Sequence, residues 1–187
     1  FYFYNGKPAT DASVTAEDAM TTSESYKGEL TVVDATKLLS RTYYVGEKGD
    51  EIANYSHNFK LGTSTIKTTS FYFYNGRTAS DPLTTAEDAM TTSESYKGEL
   101  TAVDATKLLS RTYYVGEKGD EIANYSHNFK LGTTTIKTTS FYFYSGRIAS
   151  DPLTTAEDAM TSSESYKGEL PIVDATTTLR MPSSVWE

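Results

Sequence analysis

Thr63-Ser64-Thr65-Ile66-Lys67-Thr68-Thr69-Ser70-Phe71-Tyr72-Phe73-Tyr74 occupies residues 63–74, and Asn75-Gly76 follows it directly. The stretch is rich in β-branched and aromatic residues, which are enriched in strands, and Asn-Gly is a strong signal for a tight hairpin turn. It therefore predicts one long strand or two short strands that abut. Alternation of side chains places Phe71 and Phe73 on one face and Ile66, Tyr72 and Tyr74 on the other, so we expect both faces to be partly covered.

The same stretch recurs because the chain is a tandem repeat. Residues 1–70 align with residues 71–140 without a gap, and a third copy at residues 141–187 follows the second as far as Ala175. We expect three modules with these bounds, the third being a truncated or capping unit in which Trp186 is an apolar anchor. The predicted strand crosses the join between residues 70 and 71, so we expect it to tie neighbouring copies together and the structural module to be shifted in phase.

Differences between the first two copies are concentrated in one short segment. Six of the eight lie between positions 7 and 14, which predicts a surface loop there. The pairs are Lys7/Arg77, Pro8/Thr78, Thr10/Ser80, Ala12/Pro82, Ser13/Leu83, Val14/Thr84, Val32/Ala102 and Ser64/Thr134.

Composition and charge exclude several classes of protein. The formal net charge is −8, and the positive and negative residues are interspersed along the sequence, so we expect no basic stripe for nucleic acid. The content of 37% hydrophobic and 13% aromatic residues favours a folded chain. The absence of Cys excludes disulfides and thiolate metal sites, and no apolar run approaches the length of a membrane span. Abundant Ser, Thr and Tyr with little Pro favours an extracellular or cell-surface location in a bacterium or archaeon.

Two segments of each copy carry helix-start signals. Residues 15–20 and 31–39 both have Thr at a candidate N-cap and Asp three residues later. In the second segment, apolar residues at spacings of three to four continue to Tyr43 and favour a helix, whereas the β-propensity of residues 38–45 favours a strand. Residues 51–59 fit either type. The expected fold is α+β and β-rich, a tandem array of modules coupled by strands, with an all-β fold as the alternative.

The stretch Gly28-Glu29-Leu30-Thr31-Val32-Val33-Asp34-Ala35-Thr36-Lys37-Leu38-Leu39 resembles the end of a dockerin calcium loop and the helix that follows it. The resemblance implies an extracellular module that attaches to a protein partner. Ser23, Ser25 and Lys27 stand at the early loop positions where dockerins have calcium ligands, and the ammonium group of Lys27 would repel calcium.

Other polar residues are candidates for separate sites. Acidic residues lie around Gly46 and Gly49 and around the equivalent glycines of the second copy. They are candidate calcium ligands: Glu47, Asp50, Glu51, Glu117, Asp120 and Glu121. The alternative is a solvated acidic turn around Lys48. Asn54 and Asn124 begin Asn-Tyr-Ser sequons and are candidate glycosylation sites. His57 and His127 are the only histidines, and one His per copy without Cys does not predict a catalytic centre, so we expect a protein that is not an enzyme and that needs no cofactor.

The Phe/Tyr run of each copy has three interpretations: a core strand, an exposed platform for a glycan or protein, or a self-pairing edge. We expect it to carry assembly, through Phe1, Tyr2, Phe3, Tyr4, Phe71, Tyr72, Phe73, Tyr74, Phe141, Tyr142, Phe143 and Tyr144. The leading hypothesis is a structural subunit of an extracellular filament, sheath or surface layer whose main partner is itself. The alternative is a dockerin-like or adhesin-like binding module whose copies raise avidity for a glycan or protein.

Overall fold

A computed structural model describes residues 1–170 of the chain. It contains one antiparallel sheet of thirteen strands and two single-turn 3₁₀ helices, Ala35–Lys37 and Ala105–Lys107. The strands are β1 (Tyr2–Tyr4), β2 (Lys7–Pro8), β3 (Met20–Tyr26), β4 (Leu38–Val45), β5 (Ile52–Phe59), β6 (Ile66–Tyr74), β7 (Arg77–Thr78), β8 (Met90–Lys97), β9 (Leu108–Val115), β10 (Ile122–Phe129), β11 (Ile136–Tyr144), β12 (Arg147–Ile148) and β13 (Met160–Lys167).

Ten of these strands lie side by side in the order β1, β3, β4, β5, β6, β8, β9, β10, β11 and β13. The two-residue strands β2, β7 and β12 each form a hairpin with the end of β1, β6 or β11. All thirteen described strands belong to this one hydrogen-bonded sheet, in which β1 and β13 are not paired with each other. Each repeat adds four long strands, and because neighbouring strands lie about 4.8 Å apart, one repeat advances the sheet by about 19 Å.

The expected α+β fold is wrong, because the described residues form no α-helix and the sheet dominates. Residues 15–20, which carry a helix-start signal, form only a turn before β3 begins at Met20. The carboxylate of Asp18 accepts a hydrogen bond there from the backbone N–H of Thr15 at 2.7 Å. At residues 31–39 the carboxylate of Asp34 accepts from the N–H of Thr36, and the chain enters β4 after a single 3₁₀ turn. Pairing of β4 with two neighbours satisfies its backbone more completely than a short helix would.

Other predictions are confirmed. The strand β6 runs through the join between the first two copies without a break. Asn75 and Gly76 have φ of 49° and 77°, as a type I′ hairpin turn requires. Residues 7–14 form β2 and a loop whose residues are exposed apart from the half-buried Val14, whereas the equivalent loop of the second copy is partly covered and its Ala79 is 6% exposed. Residues 51–59 contain β5. The cap predicted around Trp186 lies outside the described residues.

The strands are staggered along the sheet. Directly opposed residues form a row across the strands that starts at Phe3 on β1 and passes through β3, β4 and β5 to Phe71 on β6. The residue of β6 that is equivalent to Phe3 in the repeat is Phe73. The register therefore advances by two residues per repeat, which displaces each repeat along the strands by about 7 Å.

The best-buried apolar cluster lies at the junction of two repeats. It contains Phe71 of β6, Tyr96 of β8, Leu108 of β9 and Leu100 of the β8–β9 connection. Leu100 reaches this position because the connection folds back over one face of the sheet. The partly buried Tyr55 of the first copy packs against this cluster, so two copies of the repeat contribute to one core.

Candidate functional site

The Phe/Tyr strands of the second and third copies lie inside the sheet. β6 pairs with β5 on one side and β8 on the other, and β11 pairs with β10 and β13. Phe71 and Tyr74 are 6% and 7% exposed. The hydroxyl of Tyr74 donates to the carbonyl of Ala53 at 2.9 Å, and burial raises the pKa of Tyr74 to about 12. In these two copies the run joins repeats within one chain.

The Phe/Tyr run of the first copy lies at the edge of the sheet. β1 pairs with β3, and of the described residues only β2 lies on its other side, opposite Phe3 and Tyr4. Phe1 is 37% exposed and Tyr2 is 61% exposed. At the opposite edge, β13 pairs only with β11 among the described residues, and almost all of its side chains are exposed. Within the part of the chain that the structure describes, both edges present backbone groups that another strand could pair with.

Aromatic rings cover the face of the sheet that contains Phe71. Tyr43 and Tyr55 stack with ring centroids 4.4 Å apart, and Tyr113 and Tyr125 stack at the same distance. Phe71 meets Tyr96 edge to face at 5.7 Å. Because the stacked tyrosines turn ring faces toward each other, those faces are not free to stack against a sugar. The aromatic face stabilises pairing between strands more directly than it offers a glycan platform.

A buried ion pair that we did not predict crosses the same face. The guanidinium of Arg111 on β9 binds the carboxylate of Glu94 on β8, which also accepts a hydrogen bond from Tyr96. Burial and this hydrogen bond raise the pKa of Tyr96. The first repeat has the same arrangement, with Arg41 and Glu24. The signal in the sequence is Glu-x-Tyr, which places both side chains on one face of a strand.

The two histidines lie in aromatic surroundings beneath the connection of the following repeat. His57 is 7% exposed and contacts the rings of Tyr43, Tyr55 and Phe59. Its buried Nε2 atom has no hydrogen-bond partner among residues 1–170. Burial lowers the pKa of His57 and also that of His127. A neutral histidine in this position acts as a packing residue.

The candidate calcium ligands do not converge. One carboxylate oxygen of Glu51 accepts from the N–H of Met20 at 2.9 Å and the other from the N–H of Gly49 at 2.9 Å, and these bonds help to lower its pKa. Glu121 makes the same two bonds in the second repeat. Glu47 and Asp50, with their equivalents Glu117 and Asp120, are exposed. Residues 1–170 contain no group of three or more His, Cys, Asp or Glu side chains that could hold a metal ion.

The two sequons differ in accessibility. The side-chain amide of Asn54 is half-buried and donates to the hydroxyl of Ser80 at 2.8 Å, whereas Asn124 is only 7% exposed. A glycan on Asn124 would have to be attached before the chain folds. The stretch that resembles a dockerin loop, residues 28–39, forms a loop, one 3₁₀ turn and the start of β4.

Comparison with protein-family models, with characterised proteins and with solved structures gives no match for this chain. Among residues 1–170 no helix has the length and apolar character needed to cross a membrane.

Proposed function

We propose that the chain is a structural part of an extracellular filament, sheath or surface layer, in which copies associate by pairing of β-strands. One observation supports this proposal above the others: the sheet passes through both joins between copies without interruption, on β6 and β11. A continuous sheet is stiff along its whole length, because each repeat is hydrogen-bonded to the next rather than linked by a flexible segment.

The two edges of the sheet supply the contact. β13 contains Thr161, Ser162 and Ser163, which are exposed and uncharged, and β1 offers the exposed ring of Tyr2. The stretch 161–163 carries no charge and no Pro, so it can pair with a strand of another chain, and Glu164 is the one charged side chain in the middle of β13. Natural monomeric sheets usually block such edges.

Electron microscopy of the purified chain tests the proposal. We expect regular polymers that lengthen with protein concentration. The double substitution Ser162→Lys and Ser163→Lys places one charge on each face of β13 and should shorten or abolish them, because Lys on an edge strand opposes pairing.

The matched control is Ser162→Thr with Ser163→Thr, which keeps the positions uncharged and favours a strand. It should polymerise like the wild-type chain. A wild-type chain that stays a monodisperse monomer at high concentration would refute the proposed function.

A further inference from the structure

The antiparallel strands place every connection at one of the two ends of the strands. The connections therefore form two opposite sides of the sheet, which differ from its two faces and from its edges β1 and β13. One side carries the β3–β4 and β5–β6 connections and their repeats at residues 98–107 and 130–135; we name it the basic side. The other carries the β4–β5 turns and the connections between the short and long strands, at residues 9–19, 46–51, 79–89, 116–121 and 149–159; we name it the acidic side. The strand residues next to a connection, such as Lys97, Lys137 and Arg77, are counted with the side on which that connection lies.

The basic side has an excess of lysines in each repeat. In the second repeat it has four exposed lysines, Lys97, Lys107, Lys130 and Lys137, and two carboxylates, Glu99 and Asp104. Lys107 lies 3.8 Å from Asp104, and the other three lysines have no carboxylate within 4.0 Å among the described residues. The first repeat has the same lysines at Lys27, Lys37, Lys60 and Lys67.

The acidic side has the opposite excess. For the same repeat it has six carboxylates, Asp81, Glu87, Asp88, Glu117, Asp120 and Glu121, against Arg77 and Lys118. Both cations are already engaged within the side, Lys118 with Glu87 at 3.1 Å and Arg77 with Asp88 at 3.6 Å. Glu117 and Asp120 are exposed and have no cation within 4.0 Å in the described part of the chain.

The geometry of the sheet keeps the two charge patterns far apart and gives both the same repeat interval. Strands of eight residues separate the sides by about 27 Å, and screening in physiological salt acts over about 8 Å. The charges on each side recur with every repeat, at intervals of about 19 Å. Both sides are displaced by the same two residues per repeat, so they remain parallel.

Exposed aliphatic side chains lie between the charges on both sides. The basic side has Val103 and Leu131, which are 53% and 45% exposed, and the acidic side has Leu83 and Leu153, which are 70% and 71% exposed. A contact between the two sides would bury apolar area while it pairs the opposite charges.

We propose that the basic side of one chain docks against the acidic side of a second copy. The inference deepens the proposed function, because strand pairing extends the sheet across the strands while this contact joins sheets along the strand direction, and the two together build a layer. The contact is heterologous, since different patches meet, and therefore continues without closing. Its charges match repeat by repeat, so longer arrays gain affinity from multivalency.

Charge reversal on the full chain tests this docking. The first variant changes Lys27, Lys60, Lys97 and Lys130 to Glu; the second changes Glu47, Asp50, Glu117 and Asp120 to Lys. All eight side chains are exposed, and within residues 1–170 they form no ion pair or side-chain hydrogen bond that the substitutions would remove. A control changes the same four lysines to Arg. Sedimentation velocity measures association, and circular dichroism checks the fold.

In about 0.1 M salt we expect the wild-type chain and the Arg control to associate, and about 1 M salt to reverse the lateral contact because screening then acts over about 3 Å. Each reversal variant alone should lose the contact, and an equimolar mixture of the two should restore it. Electron microscopy of each variant should still show narrow polymers made by strand pairing. The Ser162→Lys and Ser163→Lys variant should keep salt-sensitive association.

Three results would overturn the docking while leaving strand pairing intact. Both reversal variants could form layers as wide as those of the wild type, or their mixture could fail to restore association. The wild type could instead show no salt-sensitive association and bind vesicles with anionic lipid through the four lysines, which would identify a membrane surface as the partner of the basic side.

Discussion

The hydroxyl of Thr69 on β6 accepts a hydrogen bond at 3.1 Å from the backbone N–H of Leu100, a residue 31 positions later in the next repeat. The same hydroxyl donates to the carbonyl of Gly98 at 2.9 Å, and Thr69 is completely buried. Thr139 makes the equivalent bonds with Gly168 and Leu170. One side chain thus holds the connection of each repeat onto the sheet of the repeat before it.

Replacing this hydroxyl should loosen the junction. Thr69→Val keeps the shape but leaves the N–H of Leu100 without a partner, and an unsatisfied buried group costs about 1–3 kcal/mol. Thr69→Ser retains the hydroxyl and should cost less, and Thr65→Val on the exposed surface should change little. Urea denaturation measures the free energy of unfolding. Equal values for the Val and Ser variants would show that the hydrogen bonds do not matter.

Loss of Arg111 should destabilise the sheet because it leaves a carboxylate unpaired. The side chain of Glu94 is 9% exposed and that of Arg111 is 37% exposed. Breaking a buried pair costs about 3–5 kcal/mol, and the exposure of Arg111 reduces the expected loss for Arg111→Met to about 1–3 kcal/mol. Adding Glu94→Gln should recover part of that loss, since no uncompensated charge remains. If the double variant is less stable than Arg111→Met, the ion pair is not the cause.

The histidines should make stability fall in mild acid. Burial lowers the pKa of His57 and His127 in the folded state, while the unfolded chain has the ordinary value of about 6.5. Between these values the unfolded state binds more protons, so the free energy of unfolding decreases as pH drops below about 6.5 and levels off below the folded-state pKa. The groups facing His57 are Arg41 opposite it, Glu99 in the covering connection, and the neighbouring tyrosines Tyr43 and Tyr55.

Denaturation curves between about pH 7.5 and pH 5 test this dependence. The double variant His57→Gln and His127→Gln should be less sensitive to pH across that range. Carboxylates such as Asp88 and Asp104, whose pKa values are lowered mainly by hydrogen bonds, affect stability only in a more acidic window. If the free energy of unfolding of the double variant falls with pH as steeply as that of the wild type, other groups cause the acid sensitivity.

Two glycines of one turn should respond differently to substitution. Gly116 and Gly119 have φ of 119° and 86°, but a Cβ on Gly116 would lie 2.3 Å from the carbonyl oxygen of Asp120, whereas one on Gly119 meets nothing within 4 Å. Gly119→Ala should cost about 1 kcal/mol for its backbone conformation. Gly116→Ala should cost clearly more, because the backbone of the turn must also move. Thermal melting of both variants compares them directly.

The third hairpin turn offers a stabilising change. Ser145 has φ of 50°, where the equivalent residues Asn5 and Asn75 have 49°. Asn tolerates this left-handed conformation better than Ser. The hydroxyl of Ser145 already donates to Asp158 at 3.1 Å, and an Asn amide would keep that bond, as the amide of Asn75 does with Asp88. Ser145→Asn should therefore raise the free energy of unfolding by about 0.5 kcal/mol. The reverse change, Asn75→Ser, should lower it by a similar amount.

The sequence alone determined the repeat, the strand through each join and the Asn75-Gly76 turn. These features depend on neighbouring residues: alternation, β-branched side chains and a dipeptide suited to positive φ. The helix predicted at residues 31–39 failed because its local signal, Thr followed by Asp, is satisfied by one turn at Asp34. The choice between helix and strand there was made by β3 and β5, which pair with β4 from both sides.

Only the tertiary structure decided which residues meet across the repeats. Tyr55 of the first copy lies opposite Phe71 of the second, and Thr69 holds Leu100, because β5, β6 and β8 pair in a stagger that no local pattern reveals. Within one repeat, Arg111 lies opposite Glu94 because of the register of β8 and β9. The separation of lysines from carboxylates has the same origin. Positive and negative residues alternate along the sequence. Successive strands run in opposite directions, so the lysine-rich connections lie on one side of the sheet and the acidic connections on the other.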